Sequence, residues 1–151
     1  MLTTSEQVFK NFMPLVAQSA RQWRRAIDRQ LLPLGLTEAT WLPLLHLSRS
    51  HQPPRQKDLA SALQLDSSSV VRLLDALQVA GFINRAEGQD RRAKTVLLTD
   101  LGHATVQQVE AVVDAVRANY LGCLPEQDLA TAFRIVQQIS DMLAVDLEQA
   151  E

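Results

Sequence analysis

The chain has a single cysteine, Cys123, among 151 residues, and aromatic side chains make up only 5% of it. One cysteine excludes an intramolecular disulfide and fits a reducing compartment, with the thiol expected to be a small buried or interface group. The three histidines, His46, His51 and His103, stand apart, and no serine, cysteine or carboxylate is spaced to form a catalytic triad with them. His46 and His51 straddle a helix end with no cysteine nearby, a poor start for a metal site. No apolar run approaches the roughly 18 residues that cross a bilayer. The opening Met1-Leu2-Thr3-Thr4-Ser5 lacks the basic and apolar regions of a signal peptide. These absences predict a soluble cytoplasmic protein with no cofactor, no metal, no enzymatic chemistry and no membrane partner.

What is present is ordinary in amount and unequal in distribution. A hydrophobic content of 46% and this length suit one compact domain with a real core. The net charge of −2 divides unevenly. Residues 1–54 carry 6 basic and 3 acidic side chains, residues 55–99 carry 7 and 5, and residues 100–151 carry 2 and 9. The acid therefore lies in the last third, and the two segments before it are basic. A local positive field matters more to a phosphate backbone than the charge of the whole chain.

The stretch from Arg55 to Asp100 predicts two short helices, then two strands around a basic tip. Leu59 and Leu63 mark one face of the first helix, and Gln64-Leu65-Asp66 makes a tight joint. Val70, Leu73, Leu74 and Leu77 recur at the period of an amphipathic helix. Asp66 or Ser67 can cap that helix, and Gly81 falls where a left-handed terminator is wanted. Two helices joined so closely form a helix-turn-helix, whose second helix can lie in a DNA major groove. With the leucines inward, Ser68, Arg72, Asp75 and Val79 face out, and Ser67 and Ser69 stand at the N-terminal end. The serines can bond phosphates or base edges, and Arg72 can bond guanine bidentately. The plain alternative for three serines is a capped, solvated helix.

The strands change that balance. Phe82-Ile83-Asn84-Arg85 and Thr95-Val96-Leu97-Leu98-Thr99 should pair around Gly88. Arg85, Arg91, Arg92 and Lys94 place four cations on this hairpin against two acids, Glu87 and Asp90. A basic hairpin beside a reading helix suits the narrow minor groove.

The flanks are helical. A first helix should run from Ser5 to about Gln30, with Val8, Phe12, Leu15, Ser19, Trp23 and Ile27 along one stripe and Pro14 bending it or shifting its start. Arg21, Arg24, Arg25 and Arg29 cluster towards its end. Thr37 should cap a second helix that reaches about Arg49, with Pro43 in or just past its first turn. Beyond the hairpin, Val106, Val109, Val113, Val116 and Tyr120 repeat as a heptad seam. A last helix from Glu126 to about Leu147 carries Leu129, Phe133, Val136, Leu143 and Leu147 on one stripe. These apolar faces exceed what one winged domain needs, and predict a dimer interface.

The run Asp90-Arg91-Arg92-Ala93-Lys94-Thr95-Val96-Leu97-Leu98-Thr99-Asp100-Leu101-Gly102, after Val70 to Arg85, resembles the MarR family of bacterial transcriptional regulators, and within it the SlyA-type branch. The family's wing signature is matched by Asp90, Arg92, Leu98, Thr99 and Gly102. The resemblance covers nearly the whole chain. It implies a mainly α fold with a small β-wing: a winged helix-turn-helix over residues 35–100, flanked by dimerisation helices at 1–34 and 101–151. It also implies a homodimer bound to double-stranded DNA at a pseudo-palindromic operator, in the manner of a repressor, with Asp90 holding the wing tip by pairing with an arginine. The alternative is a winged-helix module that docks on protein, a role with no need for so many wing arginines.

In the SlyA-type branch an arginine and a tryptophan at positions matching Arg21 and Trp41 contact a small aromatic carboxylate. An arginine fork suits a carboxylate, and an indole offers a flat apolar wall. Where the branch has a histidine, this chain has Leu45, and His46 is rotated about 100° round the helix. The expected pocket of Arg21, Trp41, Leu45 and His46 is therefore more apolar. The opposing expectation is that both tryptophans pack in the core or dimer and Arg21 is a solvated charge.

Overall fold

The computed structural model describes residues 4–87 and 94–148. The elements follow in the order α1 (Thr4–Leu31), a 3-10 turn (Leu32–Leu34), α2 (Glu38–Arg49), α3 (Gln56–Ala62), α4 (Ser67–Val79), β1 (Ile83–Glu87), β2 (Lys94–Leu98), α5 (Asp100–Leu121) and α6 (Glu126–Glu148). The chain divides into two compact units, residues 1–113 and 114–151. The fold is the winged helix-turn-helix expected from the sequence, six helices with one two-stranded antiparallel sheet.

In the first unit the core gathers Leu44 and Leu47 of α2, Leu59 and Ala60 of α3, Val70, Leu74 and Leu77 of α4, Ile83, Val96 and Val106. The period-3.6 leucines of α4 thus face inward, as their spacing predicts. Truncating one, such as the fully buried Leu74, would leave a cavity costing about 2–5 kcal/mol. Both prolines lie inside their helices, Pro14 in α1 and Pro43 in α2. Neither starts its helix, and Pro43 is buried, so apolar contact offsets the hydrogen bond it cannot donate. Thr37 holds the N-cap position of α2, but its hydroxyl lies near the Thr40 hydroxyl and makes no bond to the helix backbone.

α3 and α4 close by the same device. The Gln64 N–H donates to the Ser61 carbonyl and the Leu65 N–H to that of Ala60; likewise Gly81 N–H donates to Gln78 and Phe82 N–H to Leu77. This is the paired bonding of a Schellman motif, which needs a left-handed residue just past the cap. Gly81 supplies it at φ 83, whereas Gln64 adopts φ 55 with a full side chain.

β1 and β2 pair from Ile83↔Leu98 to Glu87↔Lys94, with Arg85 opposite Val96. On the other edge of β2 the Val96 N–H donates to the Pro54 carbonyl, and Arg55 bridges Thr95. The Thr99 hydroxyl donates to the Gly81 carbonyl and accepts the Gly102 N–H, joining the end of α4 to the start of α5. A Cβ on Gly102 would overlap the Phe82 carbonyl, so only glycine fits there.

α5 buries Val106, Val109, Val113 and Val116 of the heptad seam, while Tyr120 is exposed. In the second unit α6 has no buried residue, and Phe133, Met142, Leu143 and Leu147 are exposed. Cys123 is exposed on this chain, which corrects the buried alternative, with Sγ 3.6 Å from the Tyr120 carbonyl oxygen. No helix among the described residues is long and apolar enough to cross a membrane.

Candidate nucleic-acid interface

The outward face of α4 is built from its N-terminus. Asp66 caps the helix, accepting the Ser69 N–H at 2.8 Å, the Ser68 hydroxyl at 2.7 Å and the Ser69 hydroxyl at 2.8 Å. The Ser68 hydroxyl, then the Ser69 N–H and hydroxyl, hold the Asp66 carboxyl down at about 2. A hydroxyl has one proton to give. Ser68 and Ser69 have therefore spent theirs on Asp66 and present lone pairs outward, while Ser67 makes no bond among the described residues and keeps its donor. The positive end of the helix already carries its own carboxylate, which weakens it as a phosphate seat.

Arg72 is exposed on this face and has no hydrogen bond or ion pair among the described residues. Its five donors are free for a base edge or a phosphate. Asp75, Gln78 and Arg85 form a separate group. Arg85 shares the inner face of β1 with buried Ile83, opposite buried Val96. From there its Nη2 donates to the Asp75 carboxylate and its Nε to the Gln78 side-chain oxygen at 2.7 Å. Sequence reasoning grouped Arg85 with the wing cations; the fold turns its fork back onto α4. Lys94 is exposed at the hairpin's outer end and rims a polar hollow of about 260 Å³ with Gln78, Arg85 and Ala86. Asp90, Arg91 and Arg92 lie outside the described residues.

Among the described residues, those expected to hold an aromatic acid do not share one of the clefts described here. Arg21 is exposed on α1, and Leu45 is buried. Trp41 is buried and its indole Nε1 donates to Asp28 at 3.2 Å, which makes it a core strut between α2 and α1. His46 is half-buried, and burial, then Arg49 and Arg24, lower its pKa, so it favours the neutral form. A cleft of about 410 Å³ opens instead beside Arg24 and Glu38, over Leu42, Leu63, Leu65, Ser69 and Leu73. It touches both α2 and α4. Arg24 and Glu38 face each other across its mouth at 3.7 Å. The sequence carries a sign of it: Glu38 and Leu42 are one turn apart on α2, and Arg24 is one of the four arginines crowding the end of α1.

Residues 36–94 match the MarR family. The transcriptional regulator PA3341, whose crystal structure is known, is 36% identical, superposes with a TM-score of 0.82, and the match covers 88% of this chain and 98% of that one. The chain belongs to the MarR family. CouR from Rhodococcus jostii RHA1, crystallised bound to p-coumaroyl-CoA, is 25% identical with a TM-score of 0.72, over 83% of this chain and 88% of its own. MepR from S. aureus, in a complex with DNA, shares the fold at 22% identity and a TM-score of 0.75, over 87% and 97%. The part of the MarR wing signature within the described residues has a structural cause here. Leu98 packs against the core, Thr99 ties two helix ends together, and Gly102 clears the Phe82 carbonyl. Through these contacts the end of α4, the hairpin and the start of α5 are held together.

Proposed function

We propose that this regulator binds a pseudo-palindromic operator as a homodimer and represses the genes behind it, with α4 in the major groove and the hairpin in the minor groove. Residues 35–100 would read DNA, and residues 1–34 and 101–151 would form the dimer. The observation that carries the reading is Arg72, exposed and unpaired among the described residues, on the outward face of a helix whose other face is buried at Val70, Leu74 and Leu77. The DNA complex of MepR supports the same use of the fold. Dimer formation is supported by α6, which buries none of its residues, and by exposed Val8, Phe9 and Leu15 on α1. Within the family, the sequence of the wing motif favours the SlyA-type branch.

A small aromatic carboxylate is the effector this reading favours, now placed in the cleft beside Arg24. The apolar floor of Leu42, Leu63, Leu65 and Leu73 suits a ring, and Arg24 suits the carboxylate once Glu38 gives way. CouR, bound to p-coumaroyl-CoA, supports ligand control in a relative. A ligand there would shift DNA affinity only through its differential affinity for two dimer conformations.

The test is selection of duplexes from random sequence with the full chain, followed by footprinting. Half-sites repeating at about 10 bp are expected, as for reading helices about 34 Å apart. Affinity should fall steeply with salt, by about one unit of log–log slope per phosphate neutralised. No duplex enriched over background would favour a module that docks on protein.

A further inference from the structure

The hairpin is held to the body differently on its two edges. On the β2 edge the hold is backbone, through Val96 to Pro54 and the bridge of Arg55 to Thr95. β1 has no backbone partner beyond β2 among the described residues. Past buried Ile83, what ties β1 to α4 is the Arg85 fork on Asp75 and Gln78. The Arg85 side chain is 20% exposed and that of Asp75 54%. Ion pairs this wet add at most about 1 kcal/mol to stability, so the fold does not depend on this one. Its geometry is another matter. A guanidinium bonded through two nitrogens to acceptors one turn apart on a helix allows little rotation about that helix. The same bond neutralises Asp75, an acid three residues from Arg72 on the face proposed to meet phosphates.

We infer that the Asp75–Arg85–Gln78 clamp sets the angle of the wing against the reading helix, and that Arg85 contributes to sequence discrimination as a positioning residue and not as a DNA contact. The inference rests on the proposed use of α4 and the hairpin on DNA. Lys94, exposed at the hairpin's far end, is the contrasting case, a cation with no partner among the described residues.

The two roles differ in the sign of one result. Asp75→Asn removes a negative charge from the DNA-facing side, so electrostatics alone would tighten binding to every duplex. If the clamp orients the wing, Asp75→Asn instead weakens a duplex selected by the wild-type chain about tenfold, the scale of one charge-assisted hydrogen bond, and leaves a random duplex of equal length no weaker. Arg85→Lys keeps the charge but not the fork, and should lose the same selectivity with an unchanged salt slope. Lys94→Ala should weaken both duplexes alike and flatten the slope by about one unit. Urea midpoints near wild type confirm that folded protein is compared. Tighter binding of Asp75→Asn to both duplexes, or wild-type selectivity in Arg85→Lys, would overturn the clamp while leaving DNA binding intact. A wild-type chain that selects no duplex would overturn the functional reading and the clamp with it.

Discussion

The buried indole of Trp41 donates to the half-buried carboxylate of Asp28, so α2 is tied to α1 within the first unit. Removing only the carboxylate leaves a buried N–H unpaired. Asp28→Ala should therefore lower stability by about 1–3 kcal/mol. Trp41→Ala, which also empties the largest fully buried side chain, should cost about 3–5 kcal/mol. Urea unfolding followed by circular dichroism measures both, and equal losses would deny the indole its packing role.

Two turns of the reading unit share one geometry and differ in the residue that meets it. Gln64 at φ 55 bears the strain that Gly81 at φ 83 avoids. Gln64→Gly should raise stability by about 0.5–1 kcal/mol, the left-handed strain relieved less the added entropy of glycine in the unfolded chain. Gly81→Ala should lower it by about 1 kcal/mol or more for the converse reason. Opposite shifts in urea midpoint are expected; shifts of the same sign would rule out the shared motif.

Much of this was legible beforehand because it is local. The α4 leucines, the Asp66 cap, the Gly81 terminator and the two paired strands each follow from spacing or from one residue's backbone preference. What was hidden depends on contacts distant in sequence. Nothing near Arg85 in the chain says that its fork turns to Asp75 and Gln78, since that follows from which face of β1 meets α4. Trp41 offered a pocket wall by residue type, and only the approach of Asp28 from α1 makes it a strut. Arg24, three residues from Arg21 and so nearly one turn on, reaches the cleft. One turn of helix was beyond the resolution of reading by residue type.

Asp66 makes stability depend on acid. Its folded pKa, about 2, is depressed below the ordinary 3.8, so its contribution is fully present above about 3.8 and is lost as pH falls towards 2. Asp66→Asn should flatten the stability profile between those values and change nothing in its shape at neutral pH. Urea midpoints from pH 2 to pH 6 for both proteins check this; parallel profiles would contradict it.

The cleft makes a prediction that separates neighbouring arginines. Salicylate and related benzoates should release the selected duplex from wild type, and Arg24→Ala should abolish the response. Arg21→Ala, exposed and outside the cleft lining, should respond as wild type does. Isothermal titration with each variant decides between them, and a response lost with Arg21 and kept without Arg24 would move the site.

Whether α4 reads base edges through Arg72 is decided by the affinity of Arg72→Ala for the selected duplex and for random duplex at several salt concentrations. A bidentate contact to a base should cost about 1–3 kcal/mol on the selected duplex and markedly less on the random one. Equal losses on both, with the salt slope reduced by about one unit, would make Arg72 a phosphate contact and contradict the claim.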